Sequence, residues 1–349
     1  MRLGHDHVHV RVPATSANLG PGYDSLGLAL ALYDDIEVRA VASSGAHVEV
    51  TGQGAGELPD GEDHLVVRAL RLALDHVGAS QTGLHLTCTN RIPHGRGLGS
   101  SAAAVVAGIM AARSLVADTA ALDDDVVLTL ATALEGHPDN AAPAILGGAT
   151  VAWCEDAADV TEDVAGAVPD GGSGRPGRSP RPRAVRLTVH PDLAPVVVVA
   201  GTRLSTAHAR SVLPAHVAHT DAAAQVARVA LLVEALAHRP DLLLPATRDR
   251  LHQEYRRSVM PDSLALVDAL RARGAAAVVS GAGPTVLVLA RGLAAAAGAA
   301  RTAGVVVPAD AAAATDADAA IAAAFGGAMG GWSVLRPGLD LDGALTERL

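Results

Sequence analysis

The chain contains no lysine: all 27 of its basic residues are arginine. Chemistry that needs a lysine amine is therefore excluded. There is no Walker-type phosphate loop, no protein-kinase strand lysine, and no Schiff base to pyridoxal phosphate or a carbonyl substrate. The wider preference for Arg, Ala and Gly has the stamp of a GC-rich genome, but the exclusion holds whatever its origin. Cysteine is almost as scarce. Cys88 and Cys154 show neither CxxC nor CxxxH spacing, so no zinc site or disulfide framework is expected, and a reducing compartment is the default. Long apolar runs are missing too. The Ala-rich stretches are interrupted by Gly, Arg or Asp, and Met1 to Val12 lacks an apolar segment of export-signal length. Neither a membrane span nor export is expected, and the expected location is cytoplasmic. Positive charge is outweighed, 27 basic residues against 37 acidic, for a formal charge of −10. Broad nucleic-acid binding, which needs a basic face, is thereby disfavoured.

What remains is the composition of a globular protein: 349 residues, half of them hydrophobic and 18% charged. At roughly 150 residues per domain, that length suggests two domains. Val8, Val10 and Val12 alternate with polar residues and predict a strand ending at Pro13; Ile36–Val41 and His47–Thr51 repeat the alternation on either side of a Ser-Ser-Gly turn. Leu65–His76 has helical spacing, Leu84–Ile92 returns to strand, and Ser100–Val116 predicts a buried helix. A helix over Asp123–Leu134 and a strand over Gly148–Cys154 follow. From Glu155 to Ala184 the pattern collapses into acidic residues and then Pro, Gly and Arg, which predicts a mobile loop or linker. The second half predicts strands at Val185–Val189 and Pro195–Gly201, and helices at Ser205–Leu213, Thr220–Ala237 and Ser263–Ala272. It continues with strand–turn–strand over Ala276–Ser280 and Thr285–Ala290, a helix near Leu293–Thr302, Ala-rich helix over Ala309–Ala324, and a last strand at Trp332–Arg336. Residues 1–165 and 185–349 read as two domains, with 166–184 as the insertion between them. Sheets with helices gathered to one side fit an α+β fold better than a doubly wound parallel sheet.

Four segments carry chemistry. In Pro93-His94-Gly95-Arg96-Gly97-Leu98-Gly99-Ser100-Ser101-Ala102-Ala103-Ala104, alternate glycines let the backbone turn and approach a ligand closely. Two hydroxyls then open a helix whose free N–H groups and dipole favour phosphate. Ser101 offers a hydroxyl oxygen to a magnesium ion, which keeps waters and takes few protein ligands. A tight turn with a serine cap is the plainer reading of that segment alone. Glu135-Gly136-His137-Pro138-Asp139-Asn140 crowds more polar groups than helix capping needs, and Glu135 is a candidate second magnesium ligand. Ser280-Gly281-Ala282-Gly283-Pro284-Thr285, between two apolar strands, is either a simple turn or a glycine cradle against substrate. Ala14-Thr15-Ser16-Ala17-Asn18-Leu19-Gly20-Pro21-Gly22-Tyr23-Asp24 is a polar loop after the first strand, where Asn18 and Asp24 suit Asx-turns. Four such loops, each following a strand, fit one site better than four independent turns. Alternating His5, His7 and His9 at the terminus carry no such weight.

On these segments the chain resembles the GHMP kinases, the superfamily named for galactokinase, homoserine kinase, mevalonate kinase and phosphomevalonate kinase. Pro93 to Ala104 and Ser280 to Thr285 carry the general match. Val12 to Asp24, Glu135 to Pro143, Ser205 to Arg210 with Leu213-Pro214, and Glu254-Tyr255-Arg256 with Pro261 resemble the branch whose acceptor is homoserine. The match runs from about Val8 to Gly343, apart from the insertion. It implies a two-domain α+β fold: an N-terminal ATP-binding domain like the second domain of ribosomal protein S5, with a left-handed βαβ crossover, and a ferredoxin-like C-terminal α/β plait. It implies ATP-dependent phosphorylation of L-homoserine to O-phospho-L-homoserine, on the route to threonine, with ATP between the domains.

Residue by residue, the resemblance places Pro93, His94, Gly95, Arg96, Gly97, Leu98, Gly99, Ser100, Ser101, Ala102 and Ala103 on the ATP phosphates. Ser101 and Glu135 would hold Mg2+, and His64 would lie near adenine. Asn18, Asp24, His137, Asp139, Asn140, Thr206, Arg210, Arg256, Gly281 and Gly283 would surround the amino-acid substrate, with Asn18, Asp24, Asn140 and Arg210 closest to the chemistry. A zwitterion needs a cationic fork for its carboxylate and an acid for its ammonium, which the two arginines and Asp24 or Asp139 supply. Mevalonate kinases use a catalytic lysine with an aspartate base; this chain has no lysine, and Asn140 closes its second motif. Ala282 departs from the Ser-Gly-Ser-Gly-Pro common in the family and removes one hydroxyl. Many members dimerise, although no segment here marks an interface. Two other readings are a non-catalytic, ligand-sensing relative that binds ATP, and a sister kinase acting on another small carboxylate-bearing alcohol. The presence of both Ser101 and Glu135 weighs against the first.

Overall fold

The computed structural model describes residues 1–155, 181–292, 315–327 and 329–349. The first half runs β1 (His7–Ala17), β2 (Leu26–Val41), β3 (Ala46–Gly52), α1 (Leu65–His76), β4 (Gly83–Asn90), α2 (Ser100–Leu115), α3 (Asp124–Glu135), α4 (Ala141–Leu146) and β5 (Ala149–Glu155). The second runs β6 (Arg181–Leu187), β7 (Val196–Val199), α5 (Thr206–Ser211), α6 (His219–Ala237), α7 (Leu243–Ala246), α8 (Pro261–Arg271), β8 (Ala277–Val279), β9 (Val286–Val288), α9 (Asp318–Phe325), β10 (Ser333–Leu335) and β11 (Leu345–Arg348).

The first sheet is ordered β11-β1-β2-β4-β3, with β5 paired to the start of β2 and β6 to β5. β3 and β4 are parallel and joined through α1, which makes the βαβ unit. The Ser-Ser-Gly turn before Ala46 therefore does not close a hairpin: β3 lies against β4, beyond β2's own partner. Val8, Val10 and Val12 point into the core, while His7, His9 and Arg11 lie on the outer face, as a period of two requires. At Pro13 and Ala14 the β1–β2 register shifts, and the bulge lets the last four residues of β1 pair with the first part of β2. That bend carries Thr15, Ser16 and Ala17 away from the sheet's centre to the site described below.

α2 is buried along nearly its whole length because Ala, Gly and Val present little bulk on any side. A Cβ at Gly108 would collide with the carbonyl of Val66 on α1, so glycine sets how closely those two helices pack.

The second sheet, β10-β7-β9-β8, is antiparallel throughout. Its strands are apolar on both faces. Val197 and Val199 join the large core shared with the first sheet, α6 and α7, whereas Val196 and Val198 face α8 and α9. One core thus runs through both units.

Three expectations change. Residues 181–184 are strand, the start of β6, an edge position that tolerates Pro182; Arg183 reaches both Asp125 and Glu155. β11 returns the chain's end to the first sheet beside β1, a short exposed strand without the apolar alternation that announces one. α7 was not legible as a separate helix. The predicted helix at Leu293–Thr302 and most of the expected insertion lie outside the described residues, and of the Ala-rich segment the described part is helical over Asp318–Phe325.

Candidate active site

The loop from β4 into α2 is held from three directions. Asp34 of β2 is buried and accepts from Arg91 N at 2.6 Å and Ile92 N at 2.9 Å, pinning the approach to Pro93. Thr15 N donates to Leu98 O (3.1 Å), and Thr285 N to Arg96 O (3.2 Å). The Ser280 hydroxyl meets Gly97 O at 2.6 Å and Ser16 Oγ at 2.8 Å. Gly97 and Gly99 have φ of +78° and +69°; a Cβ on the first would strike Ser280 O, and on the second the Thr15 hydroxyl. Gly99 is the N-cap of α2 and no side chain caps it, so the first-turn amides are left to a ligand.

Burial pushes the Asp34 carboxyl up to about 6, against the opposing pull of the Ile92 and Arg91 amides. A raised acid favours the folded state while it is protonated, so its contribution is lost as pH rises from about 4 through 6. Asp34→Asn keeps the accepting oxygen and removes that titration. The variant gains on the wild type by about 2 kcal/mol between pH 4.5 and 7, read by denaturant unfolding at both pH values. A difference that does not change with pH would refute it.

Beside the helix start, Ser101 Oγ lies 2.6 Å from Glu135 Oε1. Burial pushes the Glu135 carboxyl above its ordinary value, and the Ser101 hydroxyl only partly offsets this. α3 ends at Glu135 because Gly136 takes the left-handed conformation (φ +85°). His137 Nδ1 then meets Asp139 Oδ1 at 2.5 Å, and that bond raises the affinity of the imidazole for its proton. Asn140 starts α4 but makes no capping bond; its Oδ1 accepts from the Thr15 hydroxyl (2.9 Å) and its Nδ2 donates to Asp139 Oδ1 (3.3 Å).

The loop after β1 supplies the third wall. Asn18, Leu19 and Asp24 all have positive φ, which for residues other than glycine is a strained choice that surrounding bonds must hold. Asn18 provides them: its Nδ2 donates to Gly281 O (2.8 Å) and its Oδ1 accepts from Asp24 N (3.0 Å). Arg210, on α5, grips Asp24 with both terminal nitrogens (2.6 and 3.1 Å) and donates to the Tyr23 hydroxyl (2.8 Å). Arg256 is buried and donates to Ala209 O, Gly281 O and the His252 ring. The Tyr23 ring lies under both guanidiniums, 5.4 Å from Arg210 Cζ and 5.9 Å from Arg256 Cζ.

All four predicted segments thus meet. Thr206 is exposed on the first turn of α5, one turn before Arg210. His64 is 4% exposed at the N-terminus of α1, and neither ring nitrogen has a protein partner. Gly283 donates from its amide to Ser280 O in the turn between β8 and β9. Tyr23 lies in the loop after β1, where its sequence position alone assigns it no role. His252 and Asp249, buried behind Arg256, went unnoticed because a lone histidine and a turn aspartate carry no signal without their partners.

The GHMP kinases N terminal domain matches residues 64–148, and the GHMP kinases C terminal domain matches residues 231–304. With the two sheets and the loop into α2, these matches define a kinase of the GHMP class. The homoserine kinase of Streptomyces coelicolor is 54% identical over 284 residues, 81% of this chain and 84% of that protein. That of Clavibacter michiganensis subsp. michiganensis is 52% identical over 81% of this chain and 82% of its own length. Among solved structures, the homoserine kinase of Cytophaga hutchinsonii shares the fold with a TM-score of 0.74 at 24% identity, covering 99% of this chain and 98% of that one. The putative homoserine kinase of Listeria monocytogenes superposes with a TM-score of 0.65 at 28% identity, covering 98% and 99%. The chain belongs to the homoserine kinase family. No helix among the described residues is long and apolar enough to cross a membrane.

Proposed function

We propose that the protein transfers the γ-phosphoryl group of ATP to the side-chain hydroxyl of L-homoserine. The observation that carries this reading is the gathering of Arg210, Arg256 and Asp24 beside the Gly281 turn, whose Ser280 hydroxyl bonds Gly97 of the phosphate loop. A sugar acceptor has no use for Arg210 and Arg256, whereas an amino acid's carboxylate does.

The uncapped first turn of α2 and the amides of residues 95–101 bind the triphosphate by backbone N–H and helix dipole. His64, buried with two unpaired ring nitrogens, is suited to a purine edge. Ser101 and Glu135 fit Mg2+: both donors are hard oxygens, and the Glu135 carboxylate is half-buried with only a hydroxyl against it, so a cation relieves its burial. The ion would supply positive charge against the phosphoryl oxygens as they accumulate negative charge. On the acceptor side, Arg210 and Arg256 take the carboxylate, and Asp24 or Asp139 takes the ammonium. Asn140, whose side chain is not spent on capping, and Asn18, which braces the Asp24 loop, set where the acceptor hydroxyl stands.

Catalysis by this arrangement is positioning and charge stabilisation. The two carboxylates on the acceptor side are each bonded to a cationic or histidine partner, Asp24 to Arg210 and Asp139 to His137, so neither is offered as an unpaired base. The cytoplasm, where ATP and a reduced Cys88 coexist, is the compartment that suits it.

The test is ADP release from ATP and magnesium with L-homoserine, D-homoserine, L-threonine, mevalonate, shikimate and galactose as acceptors. Turnover confined to L-homoserine is expected. ATP binding without turnover on any of them would discard the kinase reading.

A further inference from the structure

Arg256 is 1% exposed, yet no carboxylate among the described residues bonds it. Its Nε donates to Ala209 O at 3.2 Å, and Nη1 divides its hydrogens between Gly281 O and His252 Nδ1, each at 3.1 Å. Among the described residues no acceptor bonds Nη2. A cation buried without an anion is costly, so its retention implies an anion that arrives later.

The orientation of this fork depends on His252. The ring is fully buried, and its Nε2 lies 2.7 Å from Gly20 O, an oxygen that can only accept. Nε2 therefore carries the proton, and Nδ1 presents a lone pair to Arg256 Nη1. A doubly protonated ring would set N–H against N–H. Burial lowers the ring's affinity for a second proton, with the guanidinium acting in the same sense and Asp249 against it. Asp249 does not pair with Arg256: its oxygens accept from the amides of Leu251, His252 and Gln253 and from Gln225 Nε2, fixing the turn that bears His252.

We infer that His252 is a positioning residue for recognition of the substrate carboxylate: as a hydrogen-bond acceptor it holds Nη1 of Arg256, leaving Nη2 and an uncancelled charge for the substrate. The inference rests on the homoserine reading and names how one of its groups is held. A carboxylate in place of His252 would cancel the charge, and an apolar residue would let the fork turn.

The test uses steady-state kinetics of His252→Phe and His252→Asn with L-homoserine and with 3-aminopropan-1-ol, which is homoserine without its carboxylate. Phenylalanine keeps a ring beside Tyr23 but has no acceptor; the asparagine amide oxygen can stand where Nδ1 stands. For His252→Phe, KM for L-homoserine rises about tenfold or more, kcat stays within about threefold and KM for ATP is unmoved. His252→Asn recovers most of the loss, and activity on 3-aminopropan-1-ol is the same in variant and wild type. Equal losses on both acceptors, or a fall in kcat alone, would overturn the positioning role. Nitrogen NMR of the wild type is independent of how any variant folds. It should report the neutral Nε2–H tautomer from about pH 5 to 8, and a protonated or Nδ1–H ring overturns the inference. A wild type inactive on L-homoserine defeats the functional reading itself, before any variant is made.

Discussion

Glu135→Gln lowers kcat by about a hundred- to a thousandfold, with KM for L-homoserine little changed and the magnesium needed for half-maximal rate increased. The substitution isolates charge from shape. Glutamine's oxygen still accepts from Ser101 Oγ, and the end of α3 is untouched because Gly136 terminates it. What disappears is the negative charge of a half-buried carboxylate whose hydrogen-bonded neighbour among the described residues is a hydroxyl. If that carboxylate merely caps its neighbour, the variant keeps wild-type kcat at every magnesium concentration. Rates measured from low to saturating magnesium separate the two cases.

Arg210→Ala acts on the other substrate. A guanidinium fork on a carboxylate makes two charge-assisted hydrogen bonds, together worth about 3 kcal/mol, so kcat/KM for L-homoserine falls about a hundredfold or more. KM for ATP does not follow. Stability should barely move, since Arg210 and Asp24 are each about one-third exposed (34% and 37%) and such pairs contribute about 0–1 kcal/mol. Arg210→Lys recovers only part of the loss, because a point charge cannot reproduce the fork that spans Asp24 and Tyr23. With 3-aminopropan-1-ol as acceptor, wild type and Arg210→Ala should converge; an equal penalty on that substrate would assign Arg210 to the loop rather than to the carboxylate.

Arg210 holds Asp24, so on the proposed reading the cation and the anion a zwitterion needs are bonded to one another. Among the described residues Arg256 has no carboxylate partner, so on the proposed reading it supplies standing charge, whereas Arg210 must first release Asp24.

The elements that could be read in advance are those set by local rules. α1 falls on Leu65–His76 as its spacing predicts, and α2 starts at Ser100, where the glycine run ends. Both depend on contacts within a few residues. β11 could not be read in that way, since Leu345–Arg348 is exposed along its length and becomes a strand only because β1 has a free edge. The same holds for the parallel pairing of β3 with β4, which α1 enforces by carrying the chain back across the sheet.

The sequence by itself determined the chemical exclusions and the glycine-rich turn that opens α2. Each of these follows from side-chain identity or from the backbone freedom of glycine at a local turn. Only the tertiary structure decided which groups pair. Asp24 meets Arg210 across 186 positions, and Asn18 meets Gly281 across 263. Arg256 leans on a histidine whose affinity for a second proton is lowered by complete burial. Pairing and protonation depend on which groups are desolvated together, and desolvation is a property of the packed core rather than of neighbours along the chain.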